Sequence, residues 1–153
     1  MFVSKGGELH DSKSYNYAHV GVYFGVLGLL TGMFWAKYTW GTYWTNDPKL
    51  NGSAIGLLIY FGYFILRSSI EDESKKGKIS SVYNVFAFSM LIPLIFILPR
   101  LTDSLHPGNG GNPGFNVYDM NSQLRLVFYP AVTGFIFLGL WISDLRLKML
   151  KLK

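Results

Sequence analysis

The 153-residue chain is half hydrophobic, 17% aromatic and only 15% charged. That balance is too apolar for a soluble domain and fits a lipid-facing protein with interfacial rings. The absence of cysteine excludes a disulfide framework, a thiolate metal site and a Cys-x-x-Cys-His attachment motif.

Taken in chain order, a polar segment of mixed charge (1–17) comes first. The apolar run after it is too long for a signal-peptide core, so this segment is read as uncleaved and the first helix as retained. Apolar runs at about 18–37, 52–67, 79–99 and 126–143 follow, each near the roughly 20 residues a helix needs to cross a ~30 Å hydrocarbon core. The second is shorter, but Arg67 at its end can snorkel to the interface. The reading is an all-α membrane protein. Its membrane domain (18–148) is a four-transmembrane-helix bundle with two outward-facing functional loops, 38–51 and 100–125, and a basic tail, 149–153. Gly25, Gly28 and Gly32 suit close helix packing. The acid–base run from Glu71 to Lys78 reads as a solvated turn between the second and third spans.

With four spans, both ends share one side of the membrane. Ten bases fall there: Lys5, Lys13, Arg67, Lys75, Lys76, Lys78, Arg146, Lys148, Lys151 and Lys153. Lys37, Lys49, Arg100 and Arg125 are the four on the other. The asymmetry predicts cytoplasmic termini and outward-facing aromatic and histidine loops. The net charge of +5 is then a topology signal, with the tail free to touch anionic lipid, rather than a nucleic-acid footprint.

The first outer loop, Trp40-Gly41-Thr42-Tyr43-Trp44-Thr45-Asn46-Asp47-Pro48-Lys49-Leu50, concentrates aromatic rings with an acid and a base. An interfacial belt requires no fixed spacing and no Asp-Pro-Lys behind it. A flat aromatic shelf beside an acid and a base suits a large planar ligand such as a porphyrin. The second loop runs from Arg100 through Ser104-Leu105-His106-Pro107 into a Gly/Pro-dense stretch that forbids a regular helix. A loop histidine alone reads as a surface residue. Beside an aromatic shelf, with bases able to neutralise propionates, His106 becomes a candidate axial ligand for haem iron. His19 lies about 27 Å from Lys37 along the first helix at ~1.5 Å per residue, too far to share an iron with His106. His10 and His19 are read as solvated or interfacial. Asp103, Asp119 and Asp144 lack a paired base or metal spacing, and no phosphate loop, zinc motif or nucleophile motif is present. The reading is a binding protein and not an enzyme.

Trp40-Gly41-Thr42-Tyr43-Trp44 with Asp47 resembles the tryptophan-rich segment WGxxWxWDxxL of haem-handling membrane proteins in cytochrome c maturation. Ser104-Leu105-His106-Pro107 resembles the second axial-histidine motif of the CcmC type, and the likeness runs from about Ala18 to the C-terminus. It implies that haem b is held non-covalently at the outer face of the bacterial inner membrane. Trp40, Gly41, Trp44 and Asp47 match the motif, and His106 matches the second ligand. Tyr43, Lys49 and Arg100 join them as candidate contacts. Implied partners are a periplasmic haem chaperone of the CcmE type, a small membrane subunit and ABC transporter subunits. Asn46 stands where the family has a further tryptophan. CcmC-type proteins have six spans with the first axial histidine two spans before the tryptophan-rich segment, so this chain resembles their last four spans without that ligand. Two alternatives stay open: a truncated or split assembly subunit that does not itself hold haem, and a cytochrome c synthetase-type protein. Trp44→Ala is expected to weaken haem retention more than Trp35→Ala, because Trp35 lies within the first apolar run.

Overall fold

A computed structural model describes residues 7–106 and 120–151. It contains α1 (Glu8–Trp40), α2 (Pro48–Ser68), α3 (Glu73–Leu91), a π-helical stretch (Ile92–Ile97), α4 (Leu98–Leu101) and α5 (Ser122–Lys151), with no strand among the described residues. α1, α2, α5 and the continuous Glu73–Leu101 segment are each long and apolar enough to cross a membrane. The chain is a multi-pass membrane protein. The Gly/Pro-dense part of the second loop, 107–119, lies outside the described residues, as do 1–6 and the last two residues of the basic tail.

Local chemistry explains most helix ends. α1 starts ten residues before the first apolar run and stops at Gly41, whose φ of +81° favours glycine. The Gly41 amide donates to the Lys37 carbonyl, and Lys37 Nζ donates to the Gly41 carbonyl at 2.9 Å. α2 begins at Pro48, a residue pre-set for a first helical position, with Asp47 as its cap. The acid–base run departs from the expected turn: the break is confined to 69–72, and Glu73 onward is helical. Asp72 accepts from the Ser74 amide at 2.9 Å, while Glu73 opens the first turn and pairs with Lys76. A capping acid followed by a second acid favours a helix start over a loop.

α2 packs mainly on α3, while α1 lies against α2 and α5; among the described residues α5 packs on α1 alone. Polar ties cross the seams. Arg67 grips Asp11 with both guanidinium branches, Asn84 donates to Ser14 at 2.9 Å, and Asn16 donates to the Ser143 carbonyl at 2.8 Å. Such bonds suit an environment without water, where helices gain little from burying one more apolar face. The bulky residues on α5, Phe135, Phe137 and Trp141 among them, stay exposed as lipid contact would have them.

Glycine decides how closely α2 meets the π-helical stretch that follows α3. A Cβ on Gly52 would stand 2.3 Å from the Leu94 carbonyl oxygen and 3.1 Å from its carbon, both backbone atoms that cannot swing aside. Pro93 and Pro99 flank this point. Pro93 has no N–H to give, and the Leu98 amide reaches back to the Pro93 carbonyl in a wide π turn. Gly52→Ala should therefore force the helices apart and destabilise by about 1–3 kcal/mol. Gly28→Ala, whose methyl meets nothing within 4 Å, should be neutral or stabilising. Thermal unfolding followed by circular dichroism in detergent compares them, and equal midpoints would refute the close-contact argument.

Candidate functional site

The end of α1, the start of α2 and the segment after α4 converge on one carboxylate. Asp47 is 3% exposed. Its Oδ1 accepts from the amides of Lys49 (2.9 Å) and Leu50 (3.2 Å) and lies 2.9 Å from His106 Nδ1. Its Oδ2 accepts from Ser104 Oγ (2.8 Å) and the Leu105 amide (2.6 Å). The Ser104 hydroxyl in turn accepts from the His106 amide at 3.1 Å. One side chain thus caps α2 and binds the Ser104-Leu105-His106 turn across 59 residues of sequence.

Burial alone would raise the Asp47 pKa. The Ser104 hydroxyl, the Leu105 and Leu50 amides and the charge of His106 outweigh it, holding the carboxyl below its ordinary value. An ionised carboxylate can only accept, so the shared proton belongs on His106 Nδ1. When the ring is neutral, Nε2 then carries the free lone pair. Metal-binding histidines are oriented in this way, with the second ring nitrogen donating to a carboxylate. His106 keeps 28% of its side chain exposed, leaving room for approach.

Two indoles border the imidazole. The Trp40 ring lies 4.9 Å from His106 at 81°, and Trp35 lies 5.0 Å from Trp40 at 79° and 6.4 Å from His106. Trp40 meets both His106 and Trp35 edge-to-face, the arrangement their quadrupoles prefer, while Trp35 is tilted at 38° to His106; the rings form a corner and not the flat shelf expected from sequence. Lys49 lines the same cavity as His106. Tyr43 instead meets Phe34 edge-on at 6.0 Å and lies under Lys37 Nζ at 5.5 Å. Trp44 is 41% exposed and makes no ring contact with His106 among the described residues. Arg100 lies in α4, one turn before the Ser104-Leu105-His106 turn. The role of Gly41 is to end α1; a Cβ there would meet nothing within 4 Å, though φ would be strained.

The structure therefore brings Trp40, Asp47, Lys49 and His106 together, and leaves Tyr43 and Trp44 elsewhere. Trp35, read from sequence as a packing ring, and Ser104, read only as part of the histidine motif, were not among the site residues expected. Trp35 is hidden in an apolar run, although its place one helical turn before the aromatic loop was a usable signal. Ser104, two residues before His106, has the spacing of a hydroxyl that caps its own turn. His19 packs face to face on Phe64 at 4.2 Å and edge-on to Tyr15 at 4.4 Å, far down α1 from this site. No cluster of three or more His, Cys, Asp or Glu side chains could hold a metal among the described residues. A haem iron, whose four equatorial positions are filled by its own ring, needs only axial donors, and His106 is suited to be one.

These features define a class: a membrane protein that presents a carboxylate-oriented imidazole beside indoles at one end of its helix bundle. Residues 6–106 match the family described as "Cytochrome C assembly protein", and the chain belongs to that family. Its relatives place it with the CcmC type. "Heme exporter protein C" of Haemophilus influenzae is 26% identical over 140 residues, covering 89% of this chain and 54% of that protein. The protein of the same name from Bradyrhizobium diazoefficiens is 27% identical over 135 residues (88% and 51%). That from Rhodobacter capsulatus is 32% identical over 96 residues (60% and 38%). The chain spans about half the length of the curated relatives it matches.

Proposed function

We propose that this chain binds haem b non-covalently through His106 Nε2 and presents it at the outer face of the bacterial inner membrane during cytochrome c maturation. The observation that carries the reading is the Asp47–His106 pair. Five donors surround the carboxylate, and the imidazole it orients keeps its second nitrogen for a ligand. Bound haem would supply the iron that this nitrogen meets. Trp40 and Trp35 exclude water from the imidazole, and Lys49 offers its charge to a propionate. A periplasmic haem chaperone, a small membrane subunit and ABC transporter subunits are the partners that fit this role, with surrounding lipid. No bond-making chemistry by the chain's own side chains is part of it. The relatives' name, heme exporter protein C, supports haem as the cargo.

The rings make the test. Stacking or edge contact with a large ring contributes ~0.5–1.5 kcal/mol beyond burial, roughly two- to twelve-fold in affinity. Trp40→Ala and Trp35→Ala should each weaken haem binding in that range, and Trp44→Ala should change it less than either. This reverses the order expected from sequence, because Trp35 stands beside the imidazole and Trp44 does not. Titration of the purified variants with haem, read at the Soret band, decides. A larger loss from Trp44→Ala than from Trp40→Ala would move the site away from His106.

The orientation is proposed from the ten-to-four division of bases. The chain's lack of cysteine makes single-cysteine labelling clean. In intact cells an impermeant maleimide should label Asp103→Cys at once and Glu71→Cys only after permeabilisation. The opposite pattern would invert the protein and place His106 on the cytoplasmic side.

A further inference from the structure

α2 meets the segment that carries His106 at two levels. At its cap, Asp47 holds Ser104, Leu105 and His106. About one and a half turns further on, Gly52 lies against the Leu94 carbonyl of the π-helical stretch. The rise from Asp47 to Gly52 is only about 7.5 Å at ~1.5 Å per residue, a lever too short to absorb much bending. On the facing side the chain runs from Leu94 past Pro99, whose side chain is fully buried. The Thr102 hydroxyl then donates to the Leu98 carbonyl at 2.8 Å, and the Ser104-Leu105-His106 turn follows.

Three glycines lie on α2, and only one of them faces backbone. A Cβ on Gly56 or Gly62 would press on the ends of side chains, Leu91 Cδ2 at 2.9 Å and the Tyr83 hydroxyl at 2.7 Å, which can swing away. At Gly52 the 2.3 Å approach to the Leu94 oxygen leaves only backbone to move. The π turn prepares that oxygen. The Leu98 amide goes to the Pro93 carbonyl, and Pro99, next in the same wide register, has no N–H to give Leu94. A Cα hydrogen of Gly52 takes that place as a weak donor, the kind that recurs between packed helices. Wide turns of this type gather at functional sites, and this one leads through α4 into the His106 turn.

We propose that Gly52 is a positioning residue for the haem ligand: its contact with Leu94 sets the spacing at which Asp47 meets His106. The proposal rests on haem being the ligand of the His106 site. Magnitudes support it. To reach an ordinary contact, a methyl at Gly52 must part the two backbones by about 1 Å or more. The same displacement at the cap would carry the 2.9 Å Nδ1–Oδ1 bond out of hydrogen-bonding range. His106 would keep its imidazole and lose its orientation.

The test uses the full chain in lipid nanodiscs, titrated with haem at the Soret band. Resonance Raman reads the iron–imidazole stretch of the reduced form, and circular dichroism follows unfolding. Gly52→Ala should lower haem affinity roughly ten-fold or more and shift the iron–imidazole stretch in the direction that Asp47→Asn shifts it. Gly62→Ala, further along the same helix, should leave affinity and stretch unchanged even where it lowers the unfolding midpoint. Adding Gly52→Ala to Asp47→Asn should weaken binding by less than about two-fold more, because the pair it positions is already lost. The midpoint should still fall as it does in the wild type. Where Gly52→Ala does not fold, Pro99→Ala takes its place: the new amide competes for the Leu94 carbonyl, and a smaller shift of the same sign is expected. An unmoved stretch in the folded variant, or full additivity with Asp47→Asn, would reduce Gly52 to a packing residue and overturn the proposal, while the His106 reading stands. Haem binding indifferent to His106→Ala would sink that reading first, and the positioning role with it.

Discussion

Replacing His106 by alanine should abolish haem binding at the aromatic end of the bundle, the largest effect expected of any single change. The imidazole is the donor itself, so its loss should exceed the roughly 10- to 100-fold cost of losing a group that merely orients a ligand. His106 is the one described histidine near Trp40 and Asp47. Haem bound there by this chain alone should therefore show five-coordinate or mixed spin character, shifting toward a six-coordinate spectrum when free imidazole is added. In His106→Gly, added imidazole should restore part of the Soret band by occupying the space left by the side chain. Folding provides the control. His106 contributes one of five bonds to Asp47, so helix content should persist in both variants. A bis-histidine spectrum from the monomeric chain that survives His106→Ala would show that iron is held elsewhere.

Much of this architecture could be read from composition. Four long apolar helices follow from runs of the right length, but their ends at Gly41 and Pro48 are not part of that reading, and the helix start at Asp72 reads there as a turn. The family was legible because the Trp40–Asp47 spacing and the Ser104–His106 turn are both short-range patterns. The arrangement of the site was not. Ring geometry depends on where α1 stops, and α1 runs on to Trp40, which turns Trp35 and Trp40 toward the same imidazole. Asp47 looked like one of a base-and-acid pair flanking a ligand, yet its burial and its contact with His106 belong to the approach of two loops 59 residues apart. No local pattern encodes that approach. The open side of α1 was hidden for a similar reason. Glycine stripes usually mark close packing; Gly25 does meet Leu57, whereas Gly21, Gly28 and Gly32 face open space.

Asp47→Asn isolates what the carboxylate does, because it keeps size and shape while replacing one acceptor oxygen with a donor group. In the native site both oxygens only accept. An amide must aim its NH2 either at the Leu105 amide, now 2.6 Å from Oδ2, or at the Lys49 and Leu50 amides beside Oδ1. Each choice sets donor against donor in a buried place, and an unmet buried donor costs about 1–3 kcal/mol. The turn carrying His106 should loosen, and the weaker acceptor should no longer fix the proton on Nδ1. Haem affinity should fall about 10- to 100-fold, with Ser104→Ala producing a smaller loss because one of the two bonds to Oδ2 survives. The pH dependence follows from the lowered carboxyl pKa. A group held below its ordinary value stabilises the fold above that value, 3.8, and loses this contribution as pH falls through the still lower native value. The wild-type anchor should therefore stay intact through the range where ordinary carboxylates titrate, and fail only in stronger acid. In Asp47→Asn this acid-sensitive step should be missing from thermal unfolding measured against pH. Wild-type haem affinity in Asp47→Asn, with the acid step retained, would mean that His106 is oriented by something other than Asp47.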